Sequence, residues 1–253
     1  MQIRLIPFVR LEPNTSGRDF IVGDLHGSLH KLLDGLERIG FSEENDRLFC
    51  TGDLIDRGPD SLLTLTYLMG KPWFFATIGN HEAMLLTYFY RRESFIHGPL
   101  DFLRNGGHWA DGLDQSESFD EVIDCISRMP LVYAVGGDRP FYMVHAQHTI
   151  PDRSCLTNES WIEENADFLF WERTAADNAA YRMKMTGFTG NATEAIPIYT
   201  GHTIVNSPKM LPNSMVMMDC GLYRSNEIYI FDHTNNKMLR ESVLTDSKKV
   251  RYK

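Results

Sequence analysis

A single α/β domain, with two packed sheets flanked by helices, is the fold class this sequence predicts, and three observations predict it. Apolar strand candidates alternate with stretches of helical periodicity through the first third of the chain, the pattern of a largely parallel sheet. The middle turns helical and rich in loops, and the last third returns to short strand-like runs. At 253 residues, 43% hydrophobic and 23% charged, the chain can enclose a substantial core.

In chain order, RDFIVGD is the first strand candidate, and Leu29, Leu32, Leu33 and Leu36 follow at helical spacing. DRLFCTGD is the second, with a helix from about Asp60 that carries Leu62, Leu63, Leu65 and Leu68 mostly on one face. PWFFATIGN is the third and leads into the helical HEAMLLTYFY. GPLDFLRNGGHWADGL, SFDEVIDCISRM and NESWIEENADFLFW give the middle its helical character. We read it as a cap embedded in the domain, with insertions at about 95–130 and 150–195 shaping a cleft. Between them, LVYAVGGDRPFYMVHA reads as two strands around a Gly-Gly-Asp turn. AIPIYTGHT, SMVMMDCGL, NEIYIFDH and KMLRESVL supply the closing strands, and the lysine-rich tail is expected to fray.

A net charge of -9 argues against a broad electrostatic surface for nucleic acid. MQIRLIPFVRLEPN is interrupted by Arg4, Pro7 and Arg10 and lacks the apolar core of a secretory signal. No run approaches the roughly 20 apolar residues of a membrane helix, so no membrane partner is expected. Cys50, Cys125, Cys155 and Cys220 are scattered without Cys-x-x-Cys spacing, which fits reduced thiols and a cytoplasmic location.

The chemistry is concentrated at three strand ends. Gly23-Asp24-Leu25-His26-Gly27 follows the first strand, Gly52-Asp53-Leu54-Ile55-Asp56-Arg57-Gly58 the second, and Gly79-Asn80-His81-Glu82 the third. In a parallel sheet such ends lie side by side, so their side chains can converge on one volume. A single Gly-Asp after a strand is ordinarily just a turn, and a lone histidine is ordinarily structural. Three successive turns with one ligand vocabulary are not explained that way. Carboxylate, imidazole and amide oxygen suit manganese, iron or zinc. A buried cluster of bare carboxylates would be costly, and divalent cations offset that cost. Two metals about 3.5–4 Å apart can clamp phosphoryl oxygens and acidify a water.

GDLHG, GDLIDRG and GNHE resemble the signature blocks of the metal-dependent phosphoprotein phosphatases, within the calcineurin-like metallophosphoesterases. The bacterial and phage serine/threonine phosphatases match best in size. The resemblance is dense over about residues 20–90 and then reduced to MVHAQ, FWERT, YTGHT and MMDCG. It implies a four-layer αββα sandwich with a helical and loop cap. It also implies a dinuclear centre, most often manganese, with iron, zinc or magnesium as alternatives. Asp24 and His26 would hold the first metal, Asp53 would bridge, and Asn80, His145 and His202 would complete the second site. His148 competes with His145, because HAQH stands where the family usually has a glycine after the histidine. Arg57 and Arg173 would bind phosphate beside Asn80, with Arg182 the alternative to Arg173. His81 would be the general acid, oriented by Asp56.

The implied reaction is hydrolysis of phosphoserine or phosphothreonine, and by extension phosphotyrosine, in a phosphorylated protein or peptide. The nucleophile would be a metal-bridging hydroxide, with no phosphoenzyme. A dinucleoside polyphosphate (diadenosine tetraphosphate) hydrolase shares the three turns, but tends to lack the acid at Asp56 and to have Asp in place of Glu82. A non-catalytic binding module would be expected to have lost one of these residues. A cysteine phosphatase needs an arginine six residues after its thiolate, and Cys50 has Arg57 seven residues on.

Overall fold

The computed structural model describes residues 4–90, 99–146, 152–173, 186–188, 195–212 and 214–243. The first half contains β1 (Ile6–Leu11), β2 (Asp19–Val22), α1 (Leu29–Arg38), β3 (Arg47–Cys50), α2 (Ser61–Met69), β4 (Phe74–Ala76), α3 (Asn80–Tyr90), α4 (Pro99–Arg104) and α5 (Phe119–Ser127). The second half contains β5 (Pro130–Val135), β6 (Phe141–Val144), α6 (Glu159–Glu164), α7 (Ala166–Trp171), β7 (Thr186–Gly187), β8 (Ile198–Thr200), β9 (Lys209–Met210), β10 (Met215–Met217), β11 (Glu227–Asp232) and β12 (Lys237–Ser242).

Two sheets result, ordered β12-β11-β2-β3-β4 and β1-β5-β6-β8-β10-β9-β7. The alternation of side chains along each strand accounts for their face-to-face packing. Ile21, Phe49 and Phe231 of the smaller sheet meet Tyr133, Phe141, Met143, Tyr199 and Val216 of the larger in one buried cluster. Phe49 contacts Phe141 edge-to-face across the gap, with ring centroids 5.1 Å apart. The neighbouring residues Phe20, Val22, Leu48 and Cys50 face the other way and pack with Leu29, Leu32, Leu65 and Leu68 of α1 and α2. On the larger sheet α6 packs against β1, and the turn before it against β5. Helices therefore cover both outer faces, as a four-layer sandwich requires.

The parallel arrangement expected of the first third holds for β2, β3 and β4. The smaller sheet is completed by the antiparallel β11 and β12, so it is mixed rather than largely parallel. The hairpin β5–β6 forms as its Gly-Gly turn predicts. The sequence reading did not mark β1 as a strand. It pairs parallel to β5 at the sheet edge, where Pro7 lacks only a donor that an edge can spare. Among the described residues no helix is long and apolar enough to cross a membrane.

Parallel strands in both sheets end at the same end of the sandwich. β2, β3 and β4 pair in step through Val22, Cys50 and Ala76, and β6, β8 and β10 are likewise parallel neighbours. Their carboxyl ends deliver Asp24, Asp53 and Asn80 from one sheet, and His145, His202 and Asp219 from the other.

Candidate active site

The three turns are stitched together before any side chain is considered. The amides of Leu25 and His26 donate to the Asp53 carbonyl at 3.2 and 2.8 Å, and the Gly27 amide to Leu54 at 2.8 Å. The third turn is joined to the second by Glu82. Its fully buried carboxylate accepts from the amides of Asp53 (3.1 Å), Leu54 (2.8 Å) and Gly79 (2.9 Å). Gly79 is required by close approach, since a Cβ there would lie 2.1 Å from Asp53 Oδ1.

The local backbone is strained in a systematic way. His26, Asp53, Asp56, Arg57 and His202 all have positive φ, between 43° and 72°. Each costs about 1 kcal/mol or more in a residue with a Cβ, and the turns hold them there. The resulting orientations are specific. The Asp24 carboxylate accepts from Thr51 Oγ1 at 2.8 Å and from the His202 amide at 2.9 Å. Asp53 Oδ1 accepts from the His81 amide at 3.0 Å. That leaves Asp53 Oδ2 facing inward, 3.4 Å from His145 Nε2 and 3.7 Å from His26 Nε2.

Eight predicted site residues are buried here: Asp24, His26, Asp53, Asp56, Asn80, His81, His145 and His202. His26, Asp53 and His81 form one group able to hold a metal ion, and Asp53, His145 and His202 form another. Asp53 belongs to both, as a bridging carboxylate would. Asp24 falls in neither group of three; Asp219 is a charged neighbour that helps raise its pKa.

The donor set fits divalent cations. His26 and His145 each donate Nδ1–H to a carbonyl, of Ile55 and Thr51 respectively, at 2.8 Å. Their Nε2 lone pairs are thereby turned inward. His145 Nε2 then faces Asn80 Oδ1 at 2.9 Å. Burial drives the His145 pKa down to about 3, so this ring is neutral and two acceptors confront each other. A cation reconciles such a pair. Burial likewise holds Asp24 and Asp53 well above the usual carboxylate range, reinforced by Asp219 and Glu82 respectively. Nearby positive charge would favour their ionised forms.

His81 Nδ1 lies 2.5 Å from Asp56 Oδ2. Its Nε2 is buried and has no hydrogen-bond partner among the described residues. Burial, with Arg57 and Arg173 nearby, lowers the His81 pKa well below its ordinary value. The two arginines are exposed at the mouth. Arg57 donates to His26 Nε2 at 2.5 Å and lies over the Tyr223 ring, 5.4 Å from its centroid. Arg173 donates to the His202 carbonyl and to Thr203 Oγ1, both at 3.2 Å. His148 and Arg182, the two alternatives, lie outside the described residues.

Glu82, Asp219, Trp109 and Tyr223 adjoin the candidate site as well, and sequence reading assigned none of them a catalytic, ligand or substrate-binding role. The Trp109 indole donates to Asp56 Oδ1 at 2.6 Å. Glu82 had a usable signal, an acid in the first turn of a helix that opens on a candidate ligand. Trp109 had none.

The family model described as calcineurin-like phosphoesterase matches residues 20–203. Serine/threonine-protein phosphatase 2 of Salmonella typhimurium is 28% identical over 232 residues, 90% of this chain and 99% of that protein. The symmetrical bis(5'-nucleosyl)-tetraphosphatase of Pseudomonas entomophila is 34% identical over 173 residues, 68% of this chain and 55% of its own length. In three dimensions, a protein serine/threonine phosphatase from Saccharomyces cerevisiae superposes with a TM-score of 0.60 at 14% identity, over 97% of this chain and 86% of its own.

Proposed function

The chain belongs to the calcineurin-like phosphoesterase family, and from that premise we propose that it is a metal-dependent protein phosphatase hydrolysing phosphoserine and phosphothreonine monoesters. The observation that carries this reading is the His81–Asp56 pair, 2.5 Å apart, with His81 Nε2 buried and without a hydrogen-bond partner among the described residues. A serine or threonine alkoxide is a poor leaving group and needs a proton as the ester bond breaks. A nucleoside phosphate leaving from an anhydride needs far less help.

Asp53, Asp24, His26, Asn80, His145 and His202 would hold two divalent ions, which manganese, iron, zinc or magnesium can supply. Such ions contribute positive charge for the phosphoryl oxygens and acidify a water. The chain's own residues do the rest. Arg57 presents a planar fork of donors to the phosphate, with Arg173, beside His202, and the Asn80 side chain as further donors. A water oxygen attacks phosphorus in line as the ester oxygen departs with the P–O electron pair. Below about pH 8 the Asp56–His81 pair holds two protons, one in the short bond at Nδ1 and one on Nε2. His81 Nε2 gives its proton to that oxygen, while the bond to Asp56 keeps the ring oriented. The products are the free hydroxyl and phosphate.

Side-by-side turnover of a phosphoserine peptide and diadenosine tetraphosphate tests this. The peptide is expected to be the better substrate, and a large preference for the nucleotide would overturn the assignment in favour of the tetraphosphatase relatives.

A further inference from the structure

The His81–Asp56 pair is completed by a segment far along the chain. Phe102 of α4 is fully buried and packs against Tyr88 of α3, with ring centroids 5.2 Å apart. The chain then turns through Gly106 at φ +107°. A Cβ at this position would lie 2.7 Å from the Arg57 backbone nitrogen, so glycine allows the turn to rest directly on the Asp56–Arg57 bend. Trp109 follows in the short 3-10 turn Gly107–Ala110. Its Nε1–H reaches Asp56 Oδ1 at 2.6 Å, while Oδ2 of the same carboxylate faces His81 at 2.5 Å. Asp56 is 0% exposed, and among the described residues the donors to its carboxylate are these two side chains.

We propose that Trp109 is a positioning residue for protonation of the leaving group: its indole N–H fixes the Asp56 carboxylate, which in turn holds His81 with Nε2 directed into the site. This rests on the phosphomonoesterase reading above. An indole nitrogen is a donor only; it can anchor a carboxylate but cannot compete with it for the His81 Nδ1 proton. Burial raises the Asp56 pKa to about 8, and the indole bond opposes that shift. Trp109 thus holds the Asp56 carboxyl in the orientation that His81 needs. Without the N–H, Oδ1 loses the indole donor, and the carboxylate can rotate at the expense of its hold on the ring. The proton at stake moves from His81 Nε2 to the departing ester oxygen, giving the alcohol. The attacking water leaves its oxygen and one proton in the phosphate product, and its second proton restores the imidazole.

Trp109→Phe keeps an aromatic ring in place and removes only the donor. Two substrates separate positioning from packing: a phosphoserine peptide, whose alkoxide needs the proton, and p-nitrophenyl phosphate, whose phenolate leaves without it. Expected is a fall in kcat on the peptide of about 10–100-fold, with p-nitrophenyl phosphate within about twofold and KM unchanged for both. In an Asp56→Asn background the same substitution should add little, because Trp109 acts through Asp56. Equal losses on both substrates, no loss on the peptide, or full additivity with Asp56→Asn would each overturn the role. If His81→Asn slows the peptide selectively and Trp109→Phe does not, only the Trp109 assignment fails. If the parent protein with manganese cleaves neither ester, the phosphomonoesterase reading fails and this one with it.

Discussion

His233 and His145 are both buried histidines, one at each end of the sandwich, and their surroundings differ in kind. His233 follows β11, close to the turn that opens β6. Its Nε2 lies 2.9 Å from the Arg139 carbonyl and its Nδ1 2.8 Å from the Tyr199 hydroxyl. Each nitrogen meets a complementary group, one donating and one accepting, and the network is closed. His145 leaves the other end of β6 with its inner nitrogen against an acceptor, and nearby His81 Nε2 has no hydrogen-bond partner among the described residues. Buried polar groups are normally satisfied. The end that violates the rule also holds five residues at positive φ and several carboxyls pushed toward their neutral form. The His233 end has two positive-φ residues of its own, Ser214 and Asn236, so the contrast rests on the unsatisfied buried nitrogen and the raised carboxyls more than on backbone strain.

Removing the residue shared by both candidate metal groups should break this contrast most severely. Asp53→Asn is expected to lower kcat by roughly a thousandfold, within the range for loss of a preorganised electrostatic group. Bound metal should fall with it. Elemental analysis beside a rate measurement checks both, and full activity in the variant would remove the basis for a shared carboxylate.

His81→Asn should come next, at about a hundredfold on a phosphoserine peptide. Here the metal content is expected to stay near that of the parent, because His81 is assigned to proton transfer rather than to the ions. Loss of metal in this variant would place His81 among the ligands, as its grouping with His26 and Asp53 permits.

Much of the candidate site was legible because its parts are local. Asp24 and His26, Asp53 to Arg57, and Asn80 to Glu82 each sit in one short turn after a strand, and parallel pairing brings the three turns together. His145 and His202 were readable for the same reason, each following a strand within two residues. Trp109 was not readable. Its partner lies 53 residues away, and nothing in NGGHW shows that this turn rests on the Arg57 backbone. The positive φ values at non-glycine positions are equally silent in sequence, since they are imposed by bonds between turns. β1 was missed because Pro7 and two arginines disguise a half-buried edge strand whose identity comes from its partner β5.

The crowding of carboxyls should also show in stability. Asp56 has a pKa of about 8 in the fold against about 3.9 in an unfolded chain. The folded protein therefore keeps a proton that the unfolded chain releases, and stability from this group declines as pH rises between those values. Asp24 and Asp53 are shifted in the same direction. His145, lowered to about 3, acts oppositely, but its contribution is already complete above its unfolded value of about 6.5. From about pH 6.5 to 8 the carboxyls act alone. Metal-stripped protein is expected to lose roughly 1–2 kcal/mol over that interval from Asp56. Saturating manganese should flatten or reverse the trend, because cations bind the ionised carboxylates. Melting temperatures across this range, with chelator and with metal, measure the difference, and identical slopes would contradict it.

The smallest effect on catalysis is expected at the opposite end. His233→Phe keeps a ring of similar bulk next to Phe141, whose centroid lies 4.6 Å from that of His233, but strands the Tyr199 hydroxyl and the Arg139 carbonyl. The Tyr199 hydroxyl is the buried one, and losing its partner costs about 1–3 kcal/mol, so the midpoint of denaturation should fall clearly. Turnover per folded molecule should stay within about twofold, because the closed network supports the strands from the end opposite the candidate metal groups. Comparing rates below the melting transition with the denaturation midpoint separates the two. A large loss of kcat in a folded His233→Phe protein would mean that the two ends are coupled through β6 and β8, and that the far network helps set the geometry of His145 and His202.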